Sequence, residues 1–364
     1  MFTSNCCPGA IISMNDQKAL TIAFLIATPG TSWGGMEKHT ADLARALADR
    51  GHRVHVIGHR RYHDRFSTSV HFHPQPVQLG RRNPWLNLSL KRCIRGIAPD
   101  ILHAQGNKAA QLASHMKPGK IRLRVGTVHG IKSSHRAFQQ LDRVIAVSER
   151  VFNNLEHPRK QLIFNGVSAT PNSSQSSLEE TLLPTGSINV IAVGRLELVK
   201  GFATLIEAWV QLPQQPVATK LTIFGDGSLR AELGQLISRL GLGNDITLAG
   251  FHTNTASAYP RADLVVISSE REGFPYVLIE SLLAGCPVIS TPVSGAAEVL
   301  PPQALSTDHQ VTSLTSLISS ALANLPELKT AEGPAMAFAR ETLTLDHMAD
   351  QTEQLYLDGL AAPG

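Results

Sequence analysis

The chain has 364 residues, 43% of them hydrophobic and 17% charged, which excludes a disordered chain, a collagen-like repeat and a coiled coil. The longest apolar run near the amino terminus, 22–27, has six residues, whereas a membrane-spanning helix needs ~18 to 20. The net charge of +4 is the sum of two opposed halves: residues 1–170 hold 24 Lys and Arg and 9 Asp and Glu (24 − 9 = +15), and residues 171–364 hold 9 and 20 (9 − 20 = −11).

A basic half of this size attracts anionic partners such as lipid head groups or phosphorylated glycans, and solubility alone is the alternative explanation. Nucleic acid is disfavoured, because no zinc-finger spacing or RNP-like aromatic segment accompanies the charge.

The first half alternates apolar strands with amphipathic helices. Residues 20–27 predict a buried strand, and a Pro29-Gly30 turn leads to a helix that ends at Gly51. A second strand at 54–57 follows at once, and a strand, helix and strand in this order build parallel sheets. Further short strands are predicted at 100–103, 124–128, 144–147 and 162–164.

Residues 168–187 are polar and rich in serine and proline, which is a linker composition. The alternation then restarts, with strands predicted at 189–193, 220–224, 245–248, 263–267 and 288–290 and helices at 201–212, 228–240, around Ala256 and at 276–284. The sequence predicts an α/β fold of two doubly wound, Rossmann-like domains facing each other across a cleft. Ligands of such sheets bind beyond the carboxyl ends of the strands, so the residues after each strand are the candidates for chemistry.

The first such loop, 28–37, ends in Gly34 and Gly35 where a helix begins. Glycines at this place let backbone N–H groups approach a phosphate, and the helix dipole favours its charge. The spacing is neither that of a P-loop nor that of G-x-G-x-x-G. Phosphate binding and a purely structural turn are therefore both open.

Two cations, Arg195 and Lys200, follow the first strand of the second half, in a half with only nine basic residues. A guanidinium fork and an ammonium point charge can together neutralise a diphosphate leaving group. A pair of solvated loop cations is the alternative.

A helix with clear start and stop signals follows the fourth strand of the second half. Pro275 suits its first position, and Gly273 and Phe274 lead the chain into it. Glu272 precedes the helix and Glu280 lies in its second turn, so on a continuous helix they would be ~12 Å apart along the axis and ~80° apart around it. This disfavours the ~5.5 Å carboxylate pair of a retaining glycosidase. It favours two acceptors for hydroxyls of one long ligand, with the helix N-terminus facing its phosphate.

His129 directly follows the strand 124–128, which is the place for a catalytic imidazole, although a lone histidine is more often structural. His103 and Gln105 end another strand of the same half. Twelve of the fifteen histidines lie in residues 1–170, yet none forms an H-E-x-x-H or similar ligand pair. No protein-bound metal is predicted.

Residues 84–97, preceded by Arg81 and Arg82, form a basic amphipathic stretch. It could lie on an anionic membrane surface with Trp85 and Leu86 inserted. The alternative, which we favour, is a helix that covers the sheet and presents a solvated basic face.

The four cysteines lack C-x-x-C spacing and are too few to staple the chain, which excludes a disulfide framework and a zinc ribbon and predicts the cytoplasm. The first 13 residues show no charged start followed by an apolar run, so no secretory signal is predicted. Met14 is an alternative start to Met1.

These motifs resemble those of the family 4 retaining glycosyltransferases of the GT-B fold, of the bacterial envelope glycan type, over most of the chain. The most specific element is Glu272-Gly-Phe-Pro with Glu280, joined to Gly194-Arg195 and Lys200-Gly201. The other matching segments are Gly34-Gly35 with Glu37, Pro99 to His103, Thr127 to Gly130, Val147-Ser148, Asn165 to Val167, Phe224 to Gly227 and Gly285 to Val288.

The resemblance implies the transfer of a hexose from a nucleotide diphosphate sugar, with a UDP-sugar favoured over GDP-mannose, to a hydroxyl with retention of configuration. The implied acceptor is an envelope glycan or lipid-linked acceptor such as lipopolysaccharide core. No cofactor is implied, because the nucleotide sugar is a substrate. The enzyme would be cytoplasmic and peripheral at the inner face of the cytoplasmic membrane, with an anionic membrane surface as a partner.

The same likeness assigns roles to residues. Glu280 would hold the ribose hydroxyls, Glu272 a hydroxyl of the donor sugar, and His129 would contact that sugar near the reacting centre. The diphosphate would be stabilised by Arg195 and Lys200. The donor-binding set implied is Gly34, Gly35, Arg195, Lys200, Phe251, Gly273, Phe274, Pro275 and Glu280, with His129, Glu272, Arg195 and Lys200 as the catalytic set.

The likeness also divides the chain. It implies an acceptor-side domain at 1–167, a linker at 168–187, a donor-nucleotide domain at 188–340, and a C-terminal helix within 341–364 that crosses back onto the first domain.

Two positions depart from the family pattern, because Ser168 stands where Asp is frequent and Gln105 where a second His is frequent. The alternatives are a sugar-nucleotide epimerase on the same architecture and a non-catalytic nucleotide-sugar-binding protein. A dehydrogenase is disfavoured, since neither half begins with G-x-G-x-x-G followed by an acidic residue ~20 positions on.

Overall fold

The computed structural model describes residues 19–30, 33–116, 121–131, 134–168, 182–214, 216–252 and 255–362. Within them the chain forms two β-sheets whose paired strands all run parallel, and each sheet is accompanied by helices. This is the predicted pair of α/β domains, which we call the first and second lobes. Residues 169–181 of the predicted linker and Met14 lie outside the described residues.

The first sheet has, in the described part of the chain, seven strands in the order β3-β2-β1-β4-β5-β6-β7. They are β1 Thr21–Ile26, β2 Arg53–Gly58, β3 His71–Pro74, β4 Ile101–Gln105, β5 Leu123–Val128, β6 Arg143–Ala146 and β7 Lys160–Leu162. Their helices are α1 Gly35–Asp49, α2 Pro84–Ile97, α3 Gly106–Ser114 and α4 Glu149–Asn153. Every residue of the central strands β1 and β4 is buried, because helices cover both faces.

Two strands of this sheet differ from the prediction. The strand β3 was not predicted, because its sequence His-Phe-His-Pro offers no apolar run, and its residues are half-buried or exposed at the edge of the sheet. The last strand lies at Lys160–Leu162 and not at 162–164. Its position is determined by pairing with β6 at the edge of the sheet, and local hydrophobicity does not determine it.

The second sheet has the order β10-β9-β8-β11-β12 among the described residues. Its strands are β8 Ile188–Val193, β9 Thr219–Phe224, β10 Ile246–Gly250, β11 Leu264–Ile267 and β12 Val288–Ser290. The accompanying helices are α5 Phe202–Val210, α6 Arg230–Arg239, α7 Tyr276–Leu283, α8 Ala296–Val299, α9 Val311–Ala323, α10 Leu325–Ala331 and α11 Gly333–Thr342. The helix predicted around Ala256 is wrong: this residue lies in a turn, followed by a single 3₁₀ turn at Tyr259–Arg261. Pro260 within that turn cannot continue a helix.

The last helix, α12 Leu345–Ala361, returns to the first lobe and packs against α1. Tyr356 is fully buried there, and its hydroxyl lies 2.6 Å from Nδ1 of His103 on β4. Glu353 accepts hydrogen bonds from Arg50 and pairs with His52, each at 3.0 Å. The second half of the chain therefore completes the core of the first lobe.

Helix α2 covers the first sheet with Leu86, Leu90 and Ile94, all buried. Leu86 has no exposed surface, so the hypothesis that it inserts into a membrane together with Trp85 is wrong for Leu86. Trp85, in contrast, is 74% exposed, and Leu88 is 44% exposed. Among the described helices, none is long and apolar enough to cross a membrane.

Candidate active site

The loop after β1 and the loop after β8 meet between the lobes. Gly34 caps helix α1, and a Cβ placed on it would lie 3.3 Å from Oε2 of Glu37 and 3.5 Å from Nε of Arg195. The Arg195 guanidinium therefore reaches across to the glycine loop of the other lobe. The structure brings together two features that are 161 positions apart in the chain, by subtraction of 34 from 195.

Glu37 holds the glycine loop in place. Its Oε2 accepts a hydrogen bond of 3.0 Å from the Gly34 backbone N–H, and its Oε1 accepts one of 2.8 Å from Thr28. Glu37 is buried, and the bond back to the N-cap backbone is one half of a capping box. These bonds fix the N-terminus of α1 relative to the end of β1.

The second cation, Lys200, ends a short 3₁₀ turn at Leu198–Lys200. Its Nζ lies 2.5 Å from Oε1 of Glu272, and Ser269 donates a hydrogen bond of 2.8 Å to the same oxygen. The Lys200 and Glu272 side chains are 21% and 16% exposed. The pair is therefore mostly enclosed by protein and keeps a small part of its surface accessible to solvent.

The second glutamate, Glu280, is held from both lobes. Tyr259, fully buried, donates a hydrogen bond of 2.7 Å to Oε2, and Lys38 of α1 places its Nζ 3.8 Å from Oε1. Burial raises the pKa of Glu280, and the nearby Lys38 ammonium opposes this increase. The Lys38 ammonium also lies 5.1 Å from the centre of the Tyr276 ring, next to the start of α7.

His129 lies directly after β5 and keeps part of its surface accessible. Its Nε2 is 2.6 Å from Oε1 of the buried Gln105, at the end of β4, and its ring packs edge-on against His39 at 4.8 Å between centroids. Burial, with His39 and His103 nearby, lowers the pKa of His129 well below its ordinary value. With Nε2–H donated to the Gln105 oxygen, the imidazole is neutral and its Nδ1 is the acceptor.

The loop between Glu272 and α7 presses against the His129 loop. A Cβ on Gly273 would overlap the His129 carbonyl oxygen, so only glycine fits this approach. Phe274 is buried and packs against Phe164, with the ring centroids 5.2 Å apart and the ring planes inclined by 50°. Pro275 was predicted at the first helical position, but it is the N-cap, with extended backbone at φ −68° and ψ 130°, and α7 begins at Tyr276.

Gly35 and Phe251 complete the predicted set. A Cβ on Gly35 would lie 3.5 Å from the Tyr276 ring, so the N-terminal ends of α1 and α7 are neighbours. Phe251 follows β10, is 54% exposed, and has the Arg65 guanidinium of the first lobe 5.5 Å from its ring centre. The Phe251 ring is therefore about half exposed, with a cation of the opposite lobe against it.

In the part of the chain that the structure describes, no three His, Cys, Asp or Glu residues are placed to hold a metal ion. The absence of a resident metal stays a prediction. The predicted site residues nevertheless lie on loops or helix starts at the carboxyl ends of strands, except Glu280, which lies in the second turn of α7.

Sequence patterns did not identify Lys38, His39 and Tyr259 as site residues. Lys38 and His39 follow the glycine pair within the first turns of α1, where a charged residue and a buried histidine interrupt the apolar pattern. Tyr259 lies in the segment that was wrongly predicted as a helix. The burial of His39 on α1 marks it as a site residue, but this burial is visible only in the structure.

Comparisons with known proteins agree with this geometry. The family described as Glycosyltransferase Family 4 matches residues 33–170, and the family described as Glycosyl transferases group 1 matches residues 173–331. The lipopolysaccharide core biosynthesis glycosyltransferase LpsE of Rhizobium meliloti is 29% identical over 271 residues, which cover 72% of this chain and 77% of LpsE.

Solved structures share the fold. HepE from Anabaena, crystallised with UDP and glucose, superposes with a TM-score of 0.79 at 22% identity, over 93% of this chain and 100% of HepE. WaaG, a glycosyltransferase involved in lipopolysaccharide biosynthesis, superposes with a TM-score of 0.70 at 17% identity, over 92% of this chain and 99% of WaaG. With two family matches that together span both lobes, this chain belongs to the family 4 glycosyltransferases of the GT-B fold.

Proposed function

We propose that this glycosyltransferase transfers a hexose from a nucleotide diphosphate sugar, with UDP favoured over GDP as the nucleotide, to a hydroxyl of an envelope glycan, with retention of configuration. The observation that carries the proposal is the approach of Arg195 to the glycine loop of the opposite lobe, with Lys200 on the same side of the cleft. Two cations and two helix N-termini form a site for a pyrophosphate.

The leaving group is the centre of the proposed chemistry. Arg195 and Lys200 would stabilise the charge that develops on the diphosphate, together with backbone N–H groups near Gly34 and Gly35. Such preorganised charge is usually the largest single contribution to catalysis. Glu280 would hold the ribose, and Glu272 and His129 the donor sugar. The backbone near Phe251 would meet the base, and the amides around Phe274, in the loop of Gly273, Phe274 and Pro275, would help to hold the diphosphate.

Retention follows from substitution on one face of the sugar. The bond from C1 to the phosphate oxygen breaks, the bond from C1 to the acceptor oxygen forms on the same face, and the acceptor proton goes to the departing diphosphate. The Glu272 carboxylate already accepts hydrogen bonds from Lys200 and Ser269. This supports a role in holding a sugar hydroxyl and not in attacking C1.

The relatives support the donor and the acceptor. HepE was crystallised with UDP and with glucose, which favours a UDP-hexose here. LpsE acts in lipopolysaccharide core biosynthesis and WaaG in lipopolysaccharide biosynthesis, which favours a lipid-linked, anionic core glycan as the acceptor. The basic first half, with +15 from 24 − 9 charged residues at 1–170, fits such an acceptor.

The proposal is tested by incubating the protein with UDP-glucose and phosphorylated core oligosaccharide released from rough lipopolysaccharide. We expect UDP release and an α-linked product, detected by its anomeric proton coupling. A β-linked product would contradict retention, and conversion of UDP-glucose into an epimer without acceptor would support the epimerase instead. Thermal shifts with UDP-, GDP- and ADP-sugars identify the nucleotide.

Glu280→Ala is the matched variant for the donor site in this experiment. We expect it to lose most of the thermal shift given by UDP but little of the shift given by 2′,3′-dideoxy-UDP, because only the first ligand has ribose hydroxyls. Equal loss for both ligands would remove Glu280 from the ribose site.

We further propose that the enzyme is cytoplasmic and peripheral at an anionic membrane, with the outer face of α2 as the contact in place of the solvated basic face that the sequence alone favours. Trp85 and Leu88 are exposed there. The basic residues exposed around them are Arg81, Arg82, Lys91, Arg92 and Arg95. An exposed tryptophan within a basic surface favours anionic head groups, and each basic residue near such a membrane contributes about 1 kcal/mol.

Vesicle flotation tests this contact. We expect the protein to float with phosphatidylglycerol vesicles at low salt and to be released at high salt, because salt screens the charges. The triple variant Trp85→Ser, Lys91→Glu, Arg92→Glu is expected to stay in solution, whereas Val217→Ser, which changes an exposed apolar residue of the acidic half, is expected to float. Absence of wild-type flotation at every salt concentration would contradict membrane contact.

A further inference from the structure

The two halves of the chain come side by side at residues 165–167 and 343–345. Val167 donates a backbone hydrogen bond of 3.1 Å to Leu343 and accepts one of 3.0 Å from Leu345. A Cβ on Gly166 would overlap the carbonyl oxygen of Thr344. The segment is therefore a tight junction between the end of the first lobe and the start of α12.

Asn165, at this junction, bonds to both lobes. Its Nδ2 donates a hydrogen bond of 2.9 Å to the backbone carbonyl of Phe274 in the second lobe, and its Oδ1 lies 3.0 Å from Nδ1 of His39 in the first lobe. Asn165 is 4% exposed and His39 3%. A carbonyl only accepts, so the Phe274 contact determines which end of the amide is the donor.

The orientation of the amide in turn determines the state of His39. Because Oδ1 of Asn165 is an acceptor, Nδ1 of His39 must carry the proton and donate it. Burial lowers the pKa of His39 to about 4, so the ring is neutral and keeps this tautomer at the pH of the cytoplasm. The chain of donors from His39 through Asn165 to Phe274 therefore has a single arrangement.

Both ends of this chain lie beside helix N-termini that face the cleft. His39 is the fifth residue of α1, the helix that begins at Gly35, and Phe274 is two residues before the start of α7. These two starts already touch, since a Cβ on Gly35 would lie 3.5 Å from the Tyr276 ring. A shift of Phe274 would move Gly273, which packs on the His129 carbonyl.

We propose that Asn165 is a positioning residue, which holds the helix start after Gly34 and the loop at Gly273 and Phe274 at the spacing that one pyrophosphate-linked sugar requires. The inference rests on the proposed function, because the spacing matters only when both helix starts bind the same donor. Asn165 does not touch the substrate; it acts through His39 and Phe274. A misplacement of about 1 Å between groups that bind one transition state can lower a rate by about 10²-fold.

The test compares Asn165→Ala and Asn165→Asp with the wild type, with UDP as the binding probe and UDP-glucose as the donor. A carboxylate cannot donate to the Phe274 carbonyl, so both variants lose that bond. We expect kcat to fall by about 10- to 10²-fold per folded molecule, while Kd for UDP rises by less than about threefold. The loss should appear in kcat, because each helix start still binds phosphate alone.

Matched variants separate positioning from stability. His39→Asn can place an amide N–H where Nδ1–H was, so we expect near wild-type kcat, whereas His39→Ala should resemble Asn165→Ala. Asn189→Ala is the control for loss of a buried asparagine, since Asn189 is 6% exposed and bonds to Pro184 and Ser187 inside one lobe. It should lower the melting temperature without changing kcat per folded molecule.

Two results would overturn the proposal. One is a loss of activity in the Asn165 variants that matches their unfolded fraction, as for Asn189→Ala. The other is a rise in Kd for UDP as large as the fall in kcat, which would place Asn165 in donor binding itself. Absence of UDP binding by the wild type would instead refute the proposed function. The UDP titration of the wild type therefore distinguishes this outcome from a failure of the Asn165 proposal.

Discussion

Lys200→Met is expected to lower kcat for sugar transfer by about 10²- to 10³-fold, with a much smaller change in the affinity for UDP-glucose. Lys200 faces the cleft from the second lobe and pairs with Glu272 at 2.5 Å. Its charge would be most valuable when the diphosphate leaves, because negative charge then grows on the departing oxygen. Steady-state kinetics with saturating acceptor measure this effect.

A second explanation is that Lys200 only neutralises Glu272. The double variant Lys200→Met, Glu272→Gln distinguishes the two, because it removes the unpaired carboxylate. Recovery of activity in the double variant would contradict a role at the leaving group. Lys220→Met is the matched control, since Lys220 pairs with Asp245 at 3.1 Å in the same lobe, at the amino-terminal edge of the sheet.

His129→Ala is expected to lower the rate of transfer by about 10²-fold while the affinity for UDP changes little. The imidazole is held by Gln105 at 2.6 Å, and the His129 backbone carbonyl packs against Gly273, at the place proposed for the donor sugar and not for the nucleotide. Transfer kinetics together with UDP titration give both quantities. Equal turnover in the variant would remove His129 from the mechanism.

The pH dependence provides a further check on His129. Burial lowers its pKa well below the ordinary value of 6.5, so the ring is already neutral where an ordinary histidine would titrate. We therefore expect that titration of His129 does not contribute a step near pH 6.5 to the pH profile of the transfer rate. A step near pH 6.5 in the wild type that is absent from His129→Ala would contradict this expectation. His157→Ala is a matched control, because this imidazole bonds to the Leu141 carbonyl of the same lobe.

The central strands could be predicted from the sequence because both their faces are buried. The strand β1 is buried at all six positions and apolar at five of them, with Thr21 as the exception, and such a run is typical of a central strand of a parallel sheet. Edge strands do not have this constraint, which is why β3 was missed. The helix predicted around Ala256 from the local apolar residues is wrong because Pro260, four positions later, lacks the N–H that would continue it.

The candidate site divides in the same way. Gly34, Arg195 and Glu272 could be selected from the sequence, because each lies in a loop between the end of a strand and the next helical turn. The residues that contact the predicted site residues could not be selected from the sequence. Glu280 contacts Lys38, which is 242 positions earlier by subtraction of 38 from 280, and no local pattern relates such residues.

The sequence by itself determined two alternating α/β halves, opposite charges on those halves, and the positions where strands end in glycines, cations and carboxylates. These are local properties, because hydrophobic period, turn residues and charge are read within a few residues. Only the tertiary structure decided which of these ends meet. It brought Arg195 against the glycine loop, placed Tyr259 and Lys38 on Glu280, and joined His39 to Phe274 through Asn165, because contacts across a cleft depend on the packing of whole lobes.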